Sequence, residues 1–204
     1  MAIYPVVETF YSIQGEGLFA GAGAYFARLF GCPVKCPWCD TKNSWNGSAN
    51  FSLSDIEIAN QASLTSCDFA VITGGEPTIH PLQELVDSFR ALGIKTHLET
   101  SGYMPKNVEN IDWITLSPKL RGHTHESYLE SADEMKFIVS TPEEIGLYME
   151  KFGEYLSGKK AVFLTPEFSK SQDAALLEAI CQAVKLRGFP LRAGWQLHKN
   201  FGAV

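Results

Sequence analysis

The sequence lacks an excess of positive charge. Its 204 residues include 17 Lys and Arg against 23 Asp and Glu, which gives a formal net charge of −6. Because nucleic-acid binding depends on a basic surface that neutralises phosphates, we expect no nucleic-acid partner. The sequence also lacks an apolar run near the ~18 residues that cross a bilayer, so we expect no membrane partner.

The beginning of the chain lacks the features of a secretory signal. The segment MAIYPVVETF has no positively charged region followed by an apolar one. This predicts a cytoplasmic location. The chain also lacks an internal repeat, a low-complexity tract and a linker-like change in composition. Residues 1–204 are therefore predicted to form a single domain.

Three of the five cysteines lie close together, and no fourth cysteine is near them. Cys32, Cys36 and Cys39 have the spacing C-x₃-C-x₂-C, whereas Cys67 and Cys181 stand alone in apolar segments and are expected to be small buried side chains. A structural zinc site needs four ligands, and the sequence offers no second C-x₂-C pair and no H-x₃₋₅-H pair. An electron-carrying [4Fe–4S] cluster also uses four thiolates. Three thiolates would leave one iron open to an exchangeable ligand.

Short β-branched runs alternate with amphipathic segments along the chain. Strands are predicted at 24–31, 68–73, 94–100, 112–118, 134–140, 161–166 and 191–198. Helices are predicted at 54–64 with Ser54 as N-cap, at 82–92 with Gly93 closing the helix, at 142–152 and at 172–187. This alternation indicates a parallel sheet, either open or closed into a barrel.

Polar or glycine-rich segments follow five of the predicted strands. They read CPVKCPWCDT, TGGEPT, ETSGY, SPK and TPEF. In folds with parallel strands, ligands gather at the carboxyl ends of the strands. The active site is therefore predicted on the rim that these segments form.

The cysteine motif resembles the signature of the radical S-adenosylmethionine (SAM) superfamily. The matching residues are Cys32, Cys36, Cys39, the aromatic Trp38 and the glycine-rich Gly74-Gly75-Glu76-Pro77. The resemblance implies a [4Fe–4S] cluster whose open iron binds SAM. It also implies that one electron from the cluster cleaves SAM, and that the adenosyl radical then abstracts hydrogen from a substrate. For Glu76, a salt-bridged structural carboxylate and a ligand contact both remain open.

Further motifs resemble the 7-carboxy-7-deazaguanine synthase family within that superfamily. They are FYSIQGEG (10–17), CDT (39–41), ETSG (99–102), SPK (117–119) and QLHK (196–199). The family converts 6-carboxy-5,6,7,8-tetrahydropterin to 7-carboxy-7-deazaguanine with loss of ammonia, a step of queuosine biosynthesis. The resemblance implies this reaction, a Mg²⁺ requirement, an incomplete β/α barrel of the TIM type and a homodimer. It also implies a small pterin substrate and an electron donor of flavodoxin or ferredoxin type.

The resemblance assigns roles to individual residues. It implies that Cys32, Cys36 and Cys39 hold the cluster and that Thr41 binds Mg²⁺. Positions matching contacts to SAM are Trp38, Cys39, Asp40, Gly75, Ser117, Pro118 and Lys119. Positions matching contacts to the substrate are Ile13, Gln14, Gly15, Arg28 and Thr73. One loop departs from the family, because Thr165-Pro166 stands where Gln-Pro is frequent, so the adenosine contacts of that loop are not carried over.

The residues around Arg28 indicate a buried guanidinium independently of the family. Side chains of a strand alternate between its faces, so Arg28 shares a face with Phe26 and Phe30. A guanidinium remains charged when buried and therefore needs an anionic partner. That partner is either an internal glutamate, such as Glu8 or Glu99, or the carboxylate of a substrate. The residues alone leave both open.

Two other functions also remain open. One is a different radical SAM enzyme, such as a glycyl-radical activase acting on a protein, which would need neither Mg²⁺ nor an interior arginine for a small carboxylate. The other is a non-catalytic iron–sulfur or zinc-binding module, which a fourth thiolate ligand would mark.

Overall fold

A computed structural model describes residues 1–186 and 188–202, which form a nine-stranded sheet with helices packed against it. The strands are β1 (Ile3–Ile13), β2 (Gly23–Leu29), β3 (Phe51–Ser54), β4 (Phe69–Gly74), β5 (Thr96–Thr100), β6 (Trp113–Leu116), β7 (Glu134–Val139), β8 (Ala161–Pro166) and β9 (Leu191–Ala193). The helices are α1 (Asp55–Ser63), α2 (Gln83–Ala91), α3 (Glu126–Ser131), α4 (Pro142–Phe152), α5 (Ala174–Lys185) and α6 (Leu197–Phe201). Among these described residues, no helix has both the length and the apolar character to cross a membrane.

The sheet is an incomplete β/α barrel. Its strand order is β3-β1-β2-β4-β5-β6-β7-β8-β9. Strand β1 pairs antiparallel with β2 and β3, whereas the neighbouring pairs from β2–β4 to β8–β9 are all parallel. In the described chain β3 and β9 form opposite edges of the sheet and do not pair with each other, so the barrel stays open. The predicted fold class is confirmed.

The main core lies between the outer face of the sheet and the helices. Ile72, Leu98 and Leu116 project from neighbouring strands into it and are fully buried. Helix α1 begins where predicted because Ser54 and Glu57 form a capping box: the Ser54 side chain accepts a hydrogen bond from the Glu57 N–H (3.2 Å), and the Glu57 carboxylate accepts one from the Ser54 N–H (2.8 Å). Local sequence therefore sets the start of this helix, and burial of apolar side chains holds the layers together.

Aromatic rings fill the inner face of the barrel at the amino ends of the strands. The ring centroid of Phe19 lies 5.3 Å from that of Phe69 on β4, 4.5 Å from that of His97 on β5 and 4.9 Å from that of Trp113 on β6. Because these rings occupy the amino end, the open space inside the barrel lies at the carboxyl ends of the strands.

Four elements were not predicted from the sequence: β1, β3, α3 and α6. In β1 the pairing with β2 shifts register between Val6 and Glu8, which interrupts the alternation that marks a strand. Strand β3 has only four residues, and α3 only six, so neither is long enough to show a clear period.

The predicted last strand, 191–198, is wrong beyond Ala193. The chain leaves the sheet at Gly194, where a Cβ atom would lie 2.0 Å from Thr165 Oγ1, and α6 begins at Leu197. The Leu197 N–H donates to the carbonyl oxygen of Gly15 (2.9 Å), so the last helix packs on the turn after β1. Of the helix predicted at 172–187, Ala174–Lys185 is helical, and Arg187 lies outside the described residues, as do residues 203–204 of the predicted domain.

The two isolated cysteines are less buried than expected. Cys181 is exposed, because it lies on α5 next to Ile180, whose side chain faces the core, and so points away from it. Cys67 is half-buried, and its Sγ lies 3.8 Å from the carbonyl oxygen of Ala62. The prediction of two buried cysteines was wrong for Cys181.

Candidate active site

A cavity of about 450 Å³ opens at the carboxyl ends of the parallel strands. It brings together nearly all residues that the sequence singled out, namely Ile13, Gln14, Gly15, Arg28, Cys32, Cys36, Trp38, Cys39, Asp40, Thr41, Thr73, Gly75, Ser117 and Lys119. Pro118 is the exception, since it is buried beside Ser117 and does not line the cavity. The prediction of a site on this rim agrees with the geometry.

The cysteine loop, residues 31–41, lies after β2 and reaches the surface. Cys32, Cys36 and Cys39 are all half-buried, and the Cys39 N–H donates to the carbonyl oxygen of Cys36 (3.1 Å), which closes a turn. Lys35 adopts a φ of 47°, an unusual left-handed conformation for a residue with a side chain. Burial raises the pKa of the Cys36 thiol, and the nearby Lys119 ammonium partly offsets this effect.

The donor set fits a cluster better than a single metal ion. No three His, Cys, Asp or Glu side chains in residues 1–186 and 188–202 converge closely enough to hold one ion. In a [4Fe–4S] cluster each thiolate binds a different iron, so the three sulfurs need not converge on one point. Cys32, Cys36 and Cys39 are all free thiols on one loop that faces the cavity, as such a cluster requires.

Two adjacent glycines, the last residue of β4 and the one after it, allow the cysteine loop to pack closely. A Cβ atom on Gly74 would lie 2.5 Å from the carbonyl oxygen of Leu29, and one on Gly75 would lie 2.1 Å from that of Gly31. These distances are too short for any side chain, so glycine is required by the chain's own backbone at both positions. A Cβ atom on Gly75 would also lie 3.1 Å from the Cβ atom of Cys32, so Gly75 packs against Cys32.

Glu76 lines the cavity and is held by hydrogen bonds instead of the salt bridge that one interpretation expected. Its side chain is 1% exposed. It accepts hydrogen bonds from the Thr78 N–H (3.1 Å), the Thr100 hydroxyl (2.5 Å) and the Ser101 N–H (2.8 Å). The carboxylate thereby joins the loops after β4 and β5 at the rim of the cavity.

Lys119 is a half-buried cation beside the cysteine loop. Its Nζ donates to the Ser117 hydroxyl (2.7 Å) and lies 5.1 Å from the centre of the Trp38 ring. Burial lowers the pKa of Lys119, while the Cys36 thiol and nearby carboxylates act in the opposite direction. Lys119 therefore contacts two other residues that resemble SAM-contacting positions, Ser117 and Trp38.

Arg28 forms the internal ion pair that was one of its two interpretations. Its Nε lies 2.7 Å from Glu8 Oε1, and its Nη1 lies 3.5 Å from the carbonyl oxygen of Gly74. The guanidinium also lies over the Phe10 ring, at 5.8 Å from its centre, and lines the cavity. Since a guanidinium has five N–H donors, the pair with Glu8 leaves donors for a second anion.

Thr41 lies at the end of the cysteine loop beside an ion pair. Its hydroxyl donates to Asp40 Oδ1 (3.0 Å), and Asp40 Oδ2 lies 3.0 Å from Lys199 Nζ. Because the hydroxyl proton points to Asp40, the oxygen lone pairs of Thr41 are available to a cation. Lys199 in turn packs on the Phe168 ring, at 4.1 Å from its centre.

An ion-pair cluster formed by the buried Lys136 and the half-buried Glu16 and Glu99 was not predicted from the sequence. Lys136 Nζ lies 2.6 Å from Glu16 Oε2 and 3.1 Å from Glu99 Oε2, and all three residues line the cavity. Gln14 Nε2 donates to Glu99 Oε1 (2.9 Å). The sequence of β7 could have indicated this cluster, because the charged Glu134 and Lys136 alternate with the buried Met135, Phe137 and Val139 and so share the opposite face of the strand.

The C-terminal segment closes one side of the cavity. Gln196 Nε2 donates to Glu16 Oε1 (2.9 Å), and the buried Gln196 Oε1 accepts no hydrogen bond from the described residues. His198 lies so close to Gly15 that a Cβ on that glycine would be 1.9 Å from its Nδ1. The motif QLHK therefore contributes to the same site as the turn after β1.

Comparison with known proteins agrees with this geometry. Residues 28–136 match the Radical SAM superfamily. Over 199 residues the chain is 38% identical to a 7-carboxy-7-deazaguanine synthase of Synechocystis sp., an alignment that covers 98% of this chain and 93% of the relative. It is 34% identical over 198 residues to the enzyme of that name from Escherichia coli K12, covering 85% and 89%.

A solved structure has the same fold. The crystal structure of QueE from Escherichia coli superposes with a TM-score of 0.78 at 29% sequence identity, over 96% of this chain and 95% of that one. Together with the cysteine loop at the rim of an incomplete barrel, these similarities show that the chain is a radical SAM enzyme and belongs to the 7-carboxy-7-deazaguanine synthase family.

Proposed function

We propose that this enzyme converts 6-carboxy-5,6,7,8-tetrahydropterin to 7-carboxy-7-deazaguanine with loss of ammonia, and that it requires Mg²⁺ in addition to a [4Fe–4S] cluster and SAM. The observation that carries the proposal is that one cavity contains the cysteine loop, Arg28, Thr41 and the ion-pair cluster of Glu16, Glu99 and Lys136. When bound, the iron–sulfur cluster and SAM supply the chemistry of hydrogen-atom abstraction.

The residues of the cavity suit the two kinds of polar group that this substrate carries. Its carboxylate would bind the N–H donors of Arg28 that Glu8 leaves free. The amino and N–H groups of its ring would donate to acceptors such as Glu99 and Gln14, because an ionised carboxylate is an acceptor only. Ile13, Gly15 and Thr73 would form the walls next to it.

Other residues of the cavity would hold the cofactors. Cys32, Cys36 and Cys39 would bind three irons, while Trp38, Asp40, Gly75, Ser117 and Lys119 would contact SAM, and Pro118 would support Ser117 and Lys119 from the buried side. Thr41 would bind Mg²⁺. A hydroxyl is a weak, uncharged ligand, so most of the affinity for Mg²⁺ would come from the anionic substrate and water.

Further properties are also proposed. A homodimer and reduction by a flavodoxin- or ferredoxin-like protein are proposed from the family, and a cytoplasmic location and a single domain over residues 1–204 are proposed from the sequence. Light scattering of the purified protein would test for the homodimer. Turnover with reduced flavodoxin in place of dithionite would test the electron donor.

An anaerobic assay tests the proposed function. Reconstituted enzyme is mixed with dithionite, SAM and 6-carboxy-tetrahydropterin, with and without Mg²⁺, and the products are analysed by mass spectrometry. We expect 7-carboxy-7-deazaguanine, with a higher rate when Mg²⁺ is present. Cleavage of SAM without conversion of the pterin would contradict the proposal and favour a radical SAM enzyme acting on another substrate.

A further inference from the structure

Lys136 joins two carboxylates that come from distant parts of the chain. Glu16 lies in the turn after β1, Glu99 lies on β5 and Lys136 lies on β7. The Nζ of Lys136 is 2.6 Å from Glu16 Oε2 and 3.1 Å from Glu99 Oε2, and its side chain is 8% exposed. One cation therefore faces two anions, and the cluster carries one excess negative charge inside the cavity.

Neighbouring amides fix the remaining oxygens of both carboxylates. Gln14 Nε2 donates to Glu99 Oε1 (2.9 Å), and Gln196 Nε2 donates to Glu16 Oε1 (2.9 Å). Each carboxylate oxygen can accept about two hydrogen bonds, so every oxygen with one partner retains an acceptor position. Both carboxylates line the cavity, and the unused acceptor positions are suited to a ligand rich in N–H groups.

The electrostatics keep Lys136 and Glu99 ionised. Burial alone would lower the pKa of Lys136, but Glu16 and Glu99 outweigh it and hold the pKa above its usual range. Burial would raise the pKa of Glu99, but Lys136, the Gln14 hydrogen bond and the more distant Arg28 lower it. The other titratable groups around the cluster are Asp40, Glu76, His97, Lys119, Glu134, His198 and Lys199.

We infer that Lys136 is a positioning residue for substrate binding, which acts by holding Glu99 and Glu16 in place as acceptors for the ring N–H groups of the pterin. This inference rests on the proposed function, since it names what those carboxylates receive. A structural lysine of similar burial offers a contrast: Lys159 is 8% exposed as a whole residue, against 7% for Lys136, and donates to the Glu130 carbonyl oxygen (3.0 Å) outside the cavity.

The test compares Glu16→Gln with the double variant Lys136→Met/Glu16→Gln. Lys136→Met alone leaves two carboxylates facing each other without a cation and is expected to destabilise the fold. The double variant removes one charge of each sign, so it keeps the net charge of the wild-type cluster and avoids this repulsion. The dissociation constant of 6-carboxy-tetrahydropterin is measured by anaerobic calorimetry on reconstituted holoenzyme with SAM and without reductant, so that no turnover occurs.

We expect the loss of Lys136 to change the pH dependence of binding. In Glu16→Gln the ion pair keeps Glu99 ionised, so binding weakens only at low pH. In the double variant burial raises the pKa of Glu99, and the pH below which binding is lost moves up by at least about one unit. At pH 7 the dissociation constant of the double variant is expected to be about tenfold or more above that of Glu16→Gln, because Lys136 no longer holds Glu99 in place. Titration of the substrate itself contributes equally to both variants.

Lys159→Met serves as the matched control, since it should lower stability and leave the dissociation constant at its wild-type value. If the double variant bound the pterin with the affinity and pH dependence of Glu16→Gln, the positioning role of Lys136 would be wrong while the proposed function stood. If wild-type holoenzyme neither bound nor converted the pterin, the proposed function and this inference would both be overturned.

Discussion

The Cα atom of Gly75 packs against the carbonyl oxygen of Gly31 so closely that a Cβ atom would lie 2.1 Å from that oxygen. This contact joins the end of β4 to the first residue of the cysteine loop. The Glu76 N–H strengthens the junction by donating to the same oxygen (2.8 Å). The position of the cysteine loop thus depends on the absence of a side chain at residue 75.

Gly75→Ala should therefore destabilise the protein and loosen the cysteine loop. Overpacking against rigid backbone costs about 1–3 kcal/mol of unfolding free energy. Urea denaturation and the iron content after reconstitution measure both effects. Gly146→Ala is the control, because Gly146 lies within α4 with no atom near its missing Cβ, and alanine there should stabilise the helix by up to about 1 kcal/mol. Equal stability of the two variants would contradict the packing argument.

Cys32→Ala, Cys36→Ala and Cys39→Ala should each abolish the cluster and the activity. Anaerobic reconstitution of the wild type should bind about four irons per chain, as one [4Fe–4S] centre requires. Cys67→Ala and Cys181→Ala should keep both iron content and turnover, since neither residue lines the cavity. Loss of iron from Cys67→Ala would show that a fourth thiolate takes part and that no iron is left open.

Arg28→Lys should raise the KM for the pterin by about 10²-fold. Lysine cannot reproduce a two-bond contact to a carboxylate, and losing charge-assisted hydrogen bonds of roughly 1.5–3 kcal/mol each accounts for this factor. Glu8→Gln removes the anionic partner of Arg28 but keeps the guanidinium. It therefore separates the effect of the ion pair on stability from the effect of Arg28 on substrate binding. If both variants lowered the melting temperature alike and left KM unchanged, the ion pair with Glu8 would be the whole role of Arg28.

Thr41→Ala should raise the Mg²⁺ concentration needed for half-maximal activity by about tenfold, which corresponds to ~1.4 kcal/mol. Thr41→Ser keeps the hydroxyl that points its proton to Asp40 and should behave like the wild type. Mg²⁺ titrations of pterin binding, followed without reductant, supply a readout that is independent of turnover. A wild type that needs no Mg²⁺ would rule out this role.

His97 should make the protein less stable in mild acid. Burial lowers the pKa of His97 from 6.5 to about 4, and the opposing effect of Asp112, Glu99 and Asp133 is smaller. The unfolded state therefore binds the proton first as pH falls from about 6.5 to about 4, and the folded state loses up to about 3 kcal/mol over this range. Unfolding free energies at both ends of the range measure this loss. His97→Phe should keep the ring packing with Phe69 and flatten the dependence; an unchanged slope would mean that another group is responsible.

The sequence alone determined the class of chemistry and the place where it occurs. The spacing of Cys32, Cys36 and Cys39 is a local property of one loop, so it can be read without knowing the fold. Alternating strands and helices implied parallel pairing, and parallel strands present their carboxyl ends on one rim. The start of α1 was also readable, because a capping box involves only residues 54 and 57.

Only the tertiary structure decided which distant side chains meet. Glu16, Glu99 and Lys136 are far apart in sequence and contact one another because the barrel turns β5, β7 and the turn after β1 toward one cavity. The choice of Glu8 over Glu99 as the partner of Arg28 followed from the antiparallel register that places Glu8 opposite Arg28. Periodicity reports which face of an element is buried. Register and barrel curvature set what that face touches, and these depend on packing over the whole sheet.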